Sequence, residues 1–186
     1  MPRGGEAVRI RPLRASDVEA CARLVAADPL WQRYGLTFAR ARATIRGALR
    51  RGSDGGARSA GQFAVARVDG RVAGFVWFRP EGTFHHSGYI RWIGVAPTAQ
   101  GQGVGRRLMA YAEAQIFRSG PNVFLLVSDF NRRAQAFYRR QGYTRVGAIP
   151  DYVVPGITEY VFRKTRGPIA RAVETHRRQV REHARA

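Results

Sequence analysis

Residues 89–127 constrain the fold more than any other part of the chain. Residues 89–95 (YIRWIGV) read as a strand ended by Pro97, and a glycine-rich loop follows. Residues 103–118 then repeat apolar positions at helical spacing, with Val104, Leu108, Tyr111, Ala112 and Gln115 or Ile116 along one side. Residues 123–127 (VFLLV) form an unbroken apolar run, which suits a parallel strand buried on both faces. Strand, helix and buried strand make a crossover unit, so at least part of the sheet must be parallel.

The flanks supply the remaining elements. Residues 8–13 alternate apolar and basic residues like an opening strand. Ser16 and Glu19 form a capping-box pair ahead of Val18, Cys21, Leu24 and Val25 at helical spacing. A second helix is expected over 38–51, with Phe38, Ala41, Ile45 and Leu49 on one face and Gly52 as its stop. Residues 52–61 are a polar, Gly-rich loop. Residues 62–68 and 72–79 flank Asp69-Gly70, a strong two-residue hairpin signal. After the crossover unit come a short helix over 132–140 closed by Gly142, strands over 143–149 and 157–162, and a basic helix over 169–183 started by Pro168. The expected fold is α/β (α+β): a mixed, mostly antiparallel sheet of about seven strands flanked by helices, with an extra basic C-terminal helix. One domain is expected over 1–164, with a basic helical tail over 165–186.

Composition narrows the class. At 186 residues and 45% hydrophobic content, the chain can bury one core and is not a disordered segment. No run approaches the roughly 18 consecutive apolar residues of a membrane helix. The first residues carry charge without an apolar stretch, so no secretory signal is expected and a reducing cytoplasmic setting is the default. A lone cysteine, Cys21, cannot form an intrachain disulfide or a multi-cysteine zinc site. The net charge of +19 favours a polyanionic or phosphorylated partner. Lys164 is the sole lysine, however, and so lopsided an arginine excess also follows from GC-rich coding. From Arg163 onward the tail carries net +6 without a recognised nucleic-acid motif, so nucleic acid is not the favoured partner.

The chemistry is concentrated in Gln100-Gly101-Gln102-Gly103-Val104-Gly105. Three glycines at alternate positions let the backbone turn tightly and approach a ligand. The free amides opening the next helix, at its positive dipole end, make an anion site. Arg106 and Arg107 in that first turn would be disfavoured unless an anion offset them. A Walker loop is excluded because no Gly-Lys-Ser/Thr follows, and a dinucleotide GxGxxG fails because its third glycine would fall on Arg106 or Leu108.

Val95-x-Pro97 followed by Gln100-x-x-Gly103-x-Gly105 resembles the pyrophosphate loop of the GNAT superfamily, the acetyl-CoA-dependent N-acetyltransferases. Asn131, Ala134, Phe137-Tyr138 and Gly142-Tyr143 match the helix and following strand of the same family, and the resemblance covers residues 8–164. It implies transfer of the acetyl group of acetyl-CoA to a primary amine. In the family the strand before the loop exposes unpaired backbone groups, here around Ile93, Gly94 and Val95, which take the pantetheine arm as an added strand. Amides from Gln100 through Arg106 would hold the pyrophosphate, and Asn131 would meet the arm from the other side. Tyr138 would protonate the leaving thiolate, and the amide at Val95 would stabilise the oxyanion.

The resemblance does not supply a general base. The two positions at which family members carry a glutamate are occupied here by the Tyr89–Arg91 stretch and by Leu126. Asp129, Glu159, Glu81 and the His85-His86 pair remain as candidates, and loss of the proton through water, without a side-chain base, is slightly preferred. Adjacent histidines on extended chain face opposite ways, so no metal is expected. The acceptor is expected to be a neutral or acidic amine, a small metabolite or a protein N-terminus, because a +19 chain repels polycations. A homodimer is compatible with the reading, and a membrane is not a partner. Two other classes stay open: a non-catalytic acetyl-CoA-binding module, and a basic nucleic-acid-associated protein.

Overall fold

A computed structural model of the chain describes residues 8–53, 61–84 and 86–170. The seven strands are β1 (Arg9–Pro12), β2 (Gln62–Val68), β3 (Arg71–Thr83), β4 (Ser87–Val95), β5 (Asn122–Ser128), β6 (Thr144–Pro150) and β7 (Thr158–Thr165). They form a single sheet in the order β1-β2-β3-β4-β5-β7-β6. Every neighbouring pair is antiparallel except β4 with β5. The helices of this region are α1 (Val18–Ala27), α2 (Pro29–Arg33), α3 (Phe38–Ser53), α4 (Val104–Ile116) and α5 (Arg132–Arg140). The mixed sheet and its crossover through α4 are as the sequence predicts. The basic helix expected over 169–183 lies outside the described residues from position 171 onward, as does His85.

The sheet is buried on both sides. Val104, Leu108, Met109, Ala112 and Ile116 of α4 cover one face, against Val76, Phe78, Ile90, Val123 and Leu125. Helices α1 to α3 cover the other, with Val18, Cys21, Val25, Trp31, Ala41 and Ile45 against Phe63, Val65, Phe75 and Trp77. Alternate residues of β3 feed the two layers, which explains its unbroken apolar run. On α4 the buried set includes Met109 and Glu113, whereas Tyr111 and Gln115 sit nearer the surface.

Two features differ from the expectation. Ser16 and Glu19 do not form a capping box: Asp17 closes the turn by accepting from the Arg14 amide at 2.9 Å, while Glu19 pairs with Arg42 and Arg46 on α3. Asp17 is buried and also takes the guanidinium groups of Arg11 and Arg67, so three nearby positive or N–H groups outcompete a solvent-facing serine. Helix α2 was not expected, although Asp28 caps it by accepting from the Leu30 amide and Pro29 fills its first position. The chain turns at Phe84 (φ 48°), and the expectation for the His85-His86 pair falls outside the described residues at His85.

β4 and β5 diverge. Their parallel register covers only Gly88↔Val123, Tyr89↔Phe124 and Ile90↔Leu125. Beyond Ile90, β4 carries on to Val95 against β3 alone. Arg91 is skipped in the β3–β4 register, which passes from Trp77↔Trp92 to Phe78↔Ile90. Such a bulge bends its strand and sharpens the local twist, turning β4 away from β5.

Gly88 starts the parallel register, and a Cβ there would lie 2.1 Å from Ile116 Cγ2. Gly88→Ala should therefore lower stability by about 1–3 kcal/mol through overpacking. Ile116→Ala in the same chain should recover part of that loss, read as a positive coupling in urea unfolding. Two independent, additive losses would refute the contact.

Candidate functional site

The divergence exposes one edge of β4 and leads into the glycine-rich loop. The Ala96 amide donates to Ala73 O at 2.8 Å, and backbone direction alternates along a strand. Gly94 therefore faces β3, whereas the N–H and C=O groups of Ile93 and Val95 face the side that β5 has left. The Gln100 amide side chain donates to Val95 O at 3.3 Å, as an open carbonyl permits. Gly94 serves packing instead: a Cβ there would lie 2.8 Å from the Phe75 ring.

In the loop, Gly101 and Gly103 take φ of 80° and 77°, and a side chain at either would project into open space. Gly103 sits at the N-cap of α4 without a side-chain cap, so the amides of Val104, Gly105 and Arg106 have no intrahelical partner. Gln102 is turned back to donate to Thr98 O at 2.9 Å, holding the turn. The Arg106 and Arg107 side chains are exposed at this positive helix end. The arrangement is a built anion cradle in line with the open β4 edge.

Tyr138 lies in the core layer beneath α4, its ring centroid 5.3 Å from Phe137, 6.0 Å from Tyr143 and 6.3 Å from Phe162. Burial, with a smaller contribution from Tyr89, pushes its hydroxyl pKa up, so it stays protonated. Asn131 caps α5 by accepting from the Ala134 amide at 3.1 Å, which leaves its NH₂ group as the free end.

The candidate carboxylates separate clearly. Asp129 accepts from the Phe130 amide at 2.7 Å and from the Thr158 amide at 3.4 Å, and so ties the β5–α5 loop to the start of β7. Glu159 is 4% exposed and stands opposite Ser128 in the β5–β7 register. Tyr34, at the C-terminal end of α2, donates to Glu159 Oε1, and Ser128 Oγ donates in turn to Tyr34. Burial raises the Tyr34 hydroxyl to about 12, and Glu159 adds to the shift. Burial likewise raises the Glu159 carboxyl above 4.5; Tyr34 opposes that shift and Asp129 adds to it. Arg33 stacks over Phe130 with 4.4 Å to the centroid, so α2 is fastened to the β5–α5 loop at two points. Burial raises the Tyr89 hydroxyl to about 12; Tyr152 and, more weakly, Glu159 add to the shift, and Arg91 opposes it. Glu81 and His86 are exposed and stand outside this group of residues. Among the described residues no cluster of His, Cys, Asp and Glu could hold a metal ion.

Tyr34 and Ser128 were not singled out from the sequence. Asp28-Pro29 would have revealed α2, but no local signal says that Tyr34 reaches a glutamate 125 positions away.

The model of the GNAT acetyltransferase family matches residues 25–143, and the chain belongs to that family. Over 107 residues it is 36% identical to the N-alpha-acetyltransferase RimI of Mycobacterium tuberculosis, covering 56% of this chain and 66% of that one. Over 85 residues it is 32% identical to the aminoalkylphosphonate N-acetyltransferase of Salmonella typhimurium, covering 44% of this chain and 55% of that one. The chain thus spans less than two thirds of the length of either relative. The structure of yncA from Salmonella typhimurium, solved with its cofactor acetyl-CoA, shares the fold with a TM-score of 0.65 at 17% identity, over 86% of this chain and 94% of that one.

Glu159 yields a sign-specific prediction. A carboxyl whose folded pKa is raised stabilises the fold at low pH, and that stabilisation is lost as pH rises from the unfolded value of about 4.5 through the folded one. Glu159→Gln keeps an acceptor for Tyr34 and removes the titration. It should match or exceed the native urea midpoint at pH 7, and the gap should close near pH 4. A variant much less stable at pH 7 would contradict the assignment.

Proposed function

We propose that this chain transfers the acetyl group of acetyl-CoA to a primary amine. One observation carries the reading: the open β4 edge at Ile93 and Val95 runs directly into the uncapped amides of Val104, Gly105 and Arg106. The pantetheine arm would add to the edge as a strand, and the pyrophosphate would sit on the helix N-terminus between Gln100 and Arg106. The NH₂ of Asn131 is oriented by its cap and would meet the arm from the α5 side. Family membership, and a neighbour of the same fold with acetyl-CoA as its cofactor, support the choice of donor.

The chemistry then divides among named groups. The neutral amine attacks the thioester carbonyl carbon, the carbonyl oxygen becomes an oxyanion, and the carbon–sulfur bond breaks. The N–H of Val95 stabilises the oxyanion, an effect of about 3 kcal/mol per donor in other acyl transfers. Tyr138, kept protonated by burial, donates its proton to the leaving sulfur. Glu159 is a better proton acceptor than Asp129, because burial moves it toward neutral pH while backbone amides occupy Asp129. It would take the proton from the amine through Tyr34 or a water. The relatives named for an N-terminal α-amine and for an aminoalkylphosphonate support a primary amine without choosing between these classes.

Calorimetry should detect acetyl-CoA binding, and Gly103→Val should abolish it while the chain stays folded. Tyr138→Phe keeps the ring packing and should lower kcat about 100-fold or more with little change in acetyl-CoA affinity. Glu159→Gln should remove the acidic ionisation from the pH–rate profile. A native chain that binds no acetyl-CoA would refute the reading.

A further inference from the structure

The face of the sheet under α1 to α3 also carries arginines that no carboxylate pairs among the described residues. Arg79 on β3, Tyr89 and Arg91 on β4, and Trp77 and Trp92 share the face covered by α1 to α3. Arg91 lies over the Trp77 ring at 4.1 Å from its centroid and 6.0 Å from that of Trp92. The stacking fixes the guanidinium plane and leaves its N–H edge for a ligand. Arg79 Nε is buried and has no hydrogen-bond partner among the described residues. Arg91 is exposed on β4; partial burial lowers its pKa, Tyr89 opposes that shift, and Arg79 and then Arg51, in the last turn of α3, add to it.

Two buried carboxylates elsewhere do have cations: Asp17 has Arg11 and Arg67, and one oxygen of Glu113 has Lys164. Here the buried Arg79 Nε is a donor left unsatisfied at a cost, which an oxyanion would offset. The group adjoins the site through α2: Trp31 lies 4.8 Å from Trp92 between ring centroids, and Tyr34, one turn further on, reaches Glu159.

We propose that Arg79 and Arg91 form an oxyanion subsite, and that the acceptor is an amine carrying a carboxylate or a phosphonate. Glu159 and Tyr34 then receive the amine end, and the two arginines hold the anionic end in bidentate hydrogen bonds. The acceptor half of this assignment rests on the acetyl-transfer reading; the subsite itself does not. It also accounts for how a strongly cationic chain attracts an amine: the anionic end is the one drawn in.

The three tryptophans, Trp31, Trp77 and Trp92, form one aromatic cluster around Arg91, so their fluorescence reports on the subsite directly. The full chain is titrated with 2-aminoethylphosphonate, with β-alanine and with ethanolamine, which lacks the anion. Either anionic amine should give a saturable change, the stronger response separating phosphonate from carboxylate, and ethanolamine should give none. Arg91→Gln and Arg79→Gln, each checked for native melting behaviour, should weaken the response about tenfold or more. No saturation with either anion, or an unchanged response in the folded variants, overturns the subsite. Acetylation of the same amines is measured in parallel. Faster transfer to ethanolamine than to both anionic amines overturns the acceptor assignment. If no acetyl-CoA is bound or consumed at all, the transfer reading fails, while the fluorescence titration still decides the subsite.

Discussion

The rest of the structure depends on the point at which β4 stops pairing with β5. Three residues of parallel register hold the two strands together, and beyond Ile90 each goes its own way. A sheet rarely leaves a central strand with an unpaired edge, because unsatisfied N–H and C=O groups are costly unless a ligand or water meets them. This chain opens the gap with a bulge at Arg91 and packs Tyr138 beneath α4 close to it. The gap makes a groove whose far end is the N-terminus of α4. In the proposed reading, backbone geometry supplies most of the donor side, and side chains are left to handle the acceptor.

The two sides differ in their electrostatics. On the donor side, uncapped amides and exposed arginines at the start of α4 favour a polyanion. On the proposed acceptor side, a buried glutamate accepts from Tyr34, and the exposed Arg91 lies over the Trp77 ring. A net charge of +19 averages over this division and describes neither half. Local pairing decides the chemistry, since exposed charges are screened within about 10 Å and buried ones are not.

Much of this was legible in the sequence. Asp69-Gly70 gave the hairpin, the run at 123–127 gave the parallel strand, and the glycines at 101, 103 and 105 gave the turn into α4. These signals are local, set by turn chemistry and periodicity. The misses are of another kind. Ser16 lost the cap to Asp17 because Arg11 and Arg67, one of them 50 positions away, draw the carboxylate in. The Tyr34–Glu159 contact joins α2 to β7 and exists only once both pack on the sheet. Arg91 resembled any basic residue on a strand until the β3–β4 register placed it at the bulge, over Trp77. Long-range pairing carries no mark in the local pattern.

The central claim is that the edge of β4 beyond Ile90 is a docking strand for the donor. Amide hydrogen exchange measured residue by residue, with and without acetyl-CoA, tests it most directly. The account predicts new protection at the amides of Ile93 and Val95 and at those of Val104, Gly105 and Arg106, with Gly94 already protected by β3 in the free chain. Acetyl-CoA binding that leaves Ile93 and Val95 exchanging as before would contradict it.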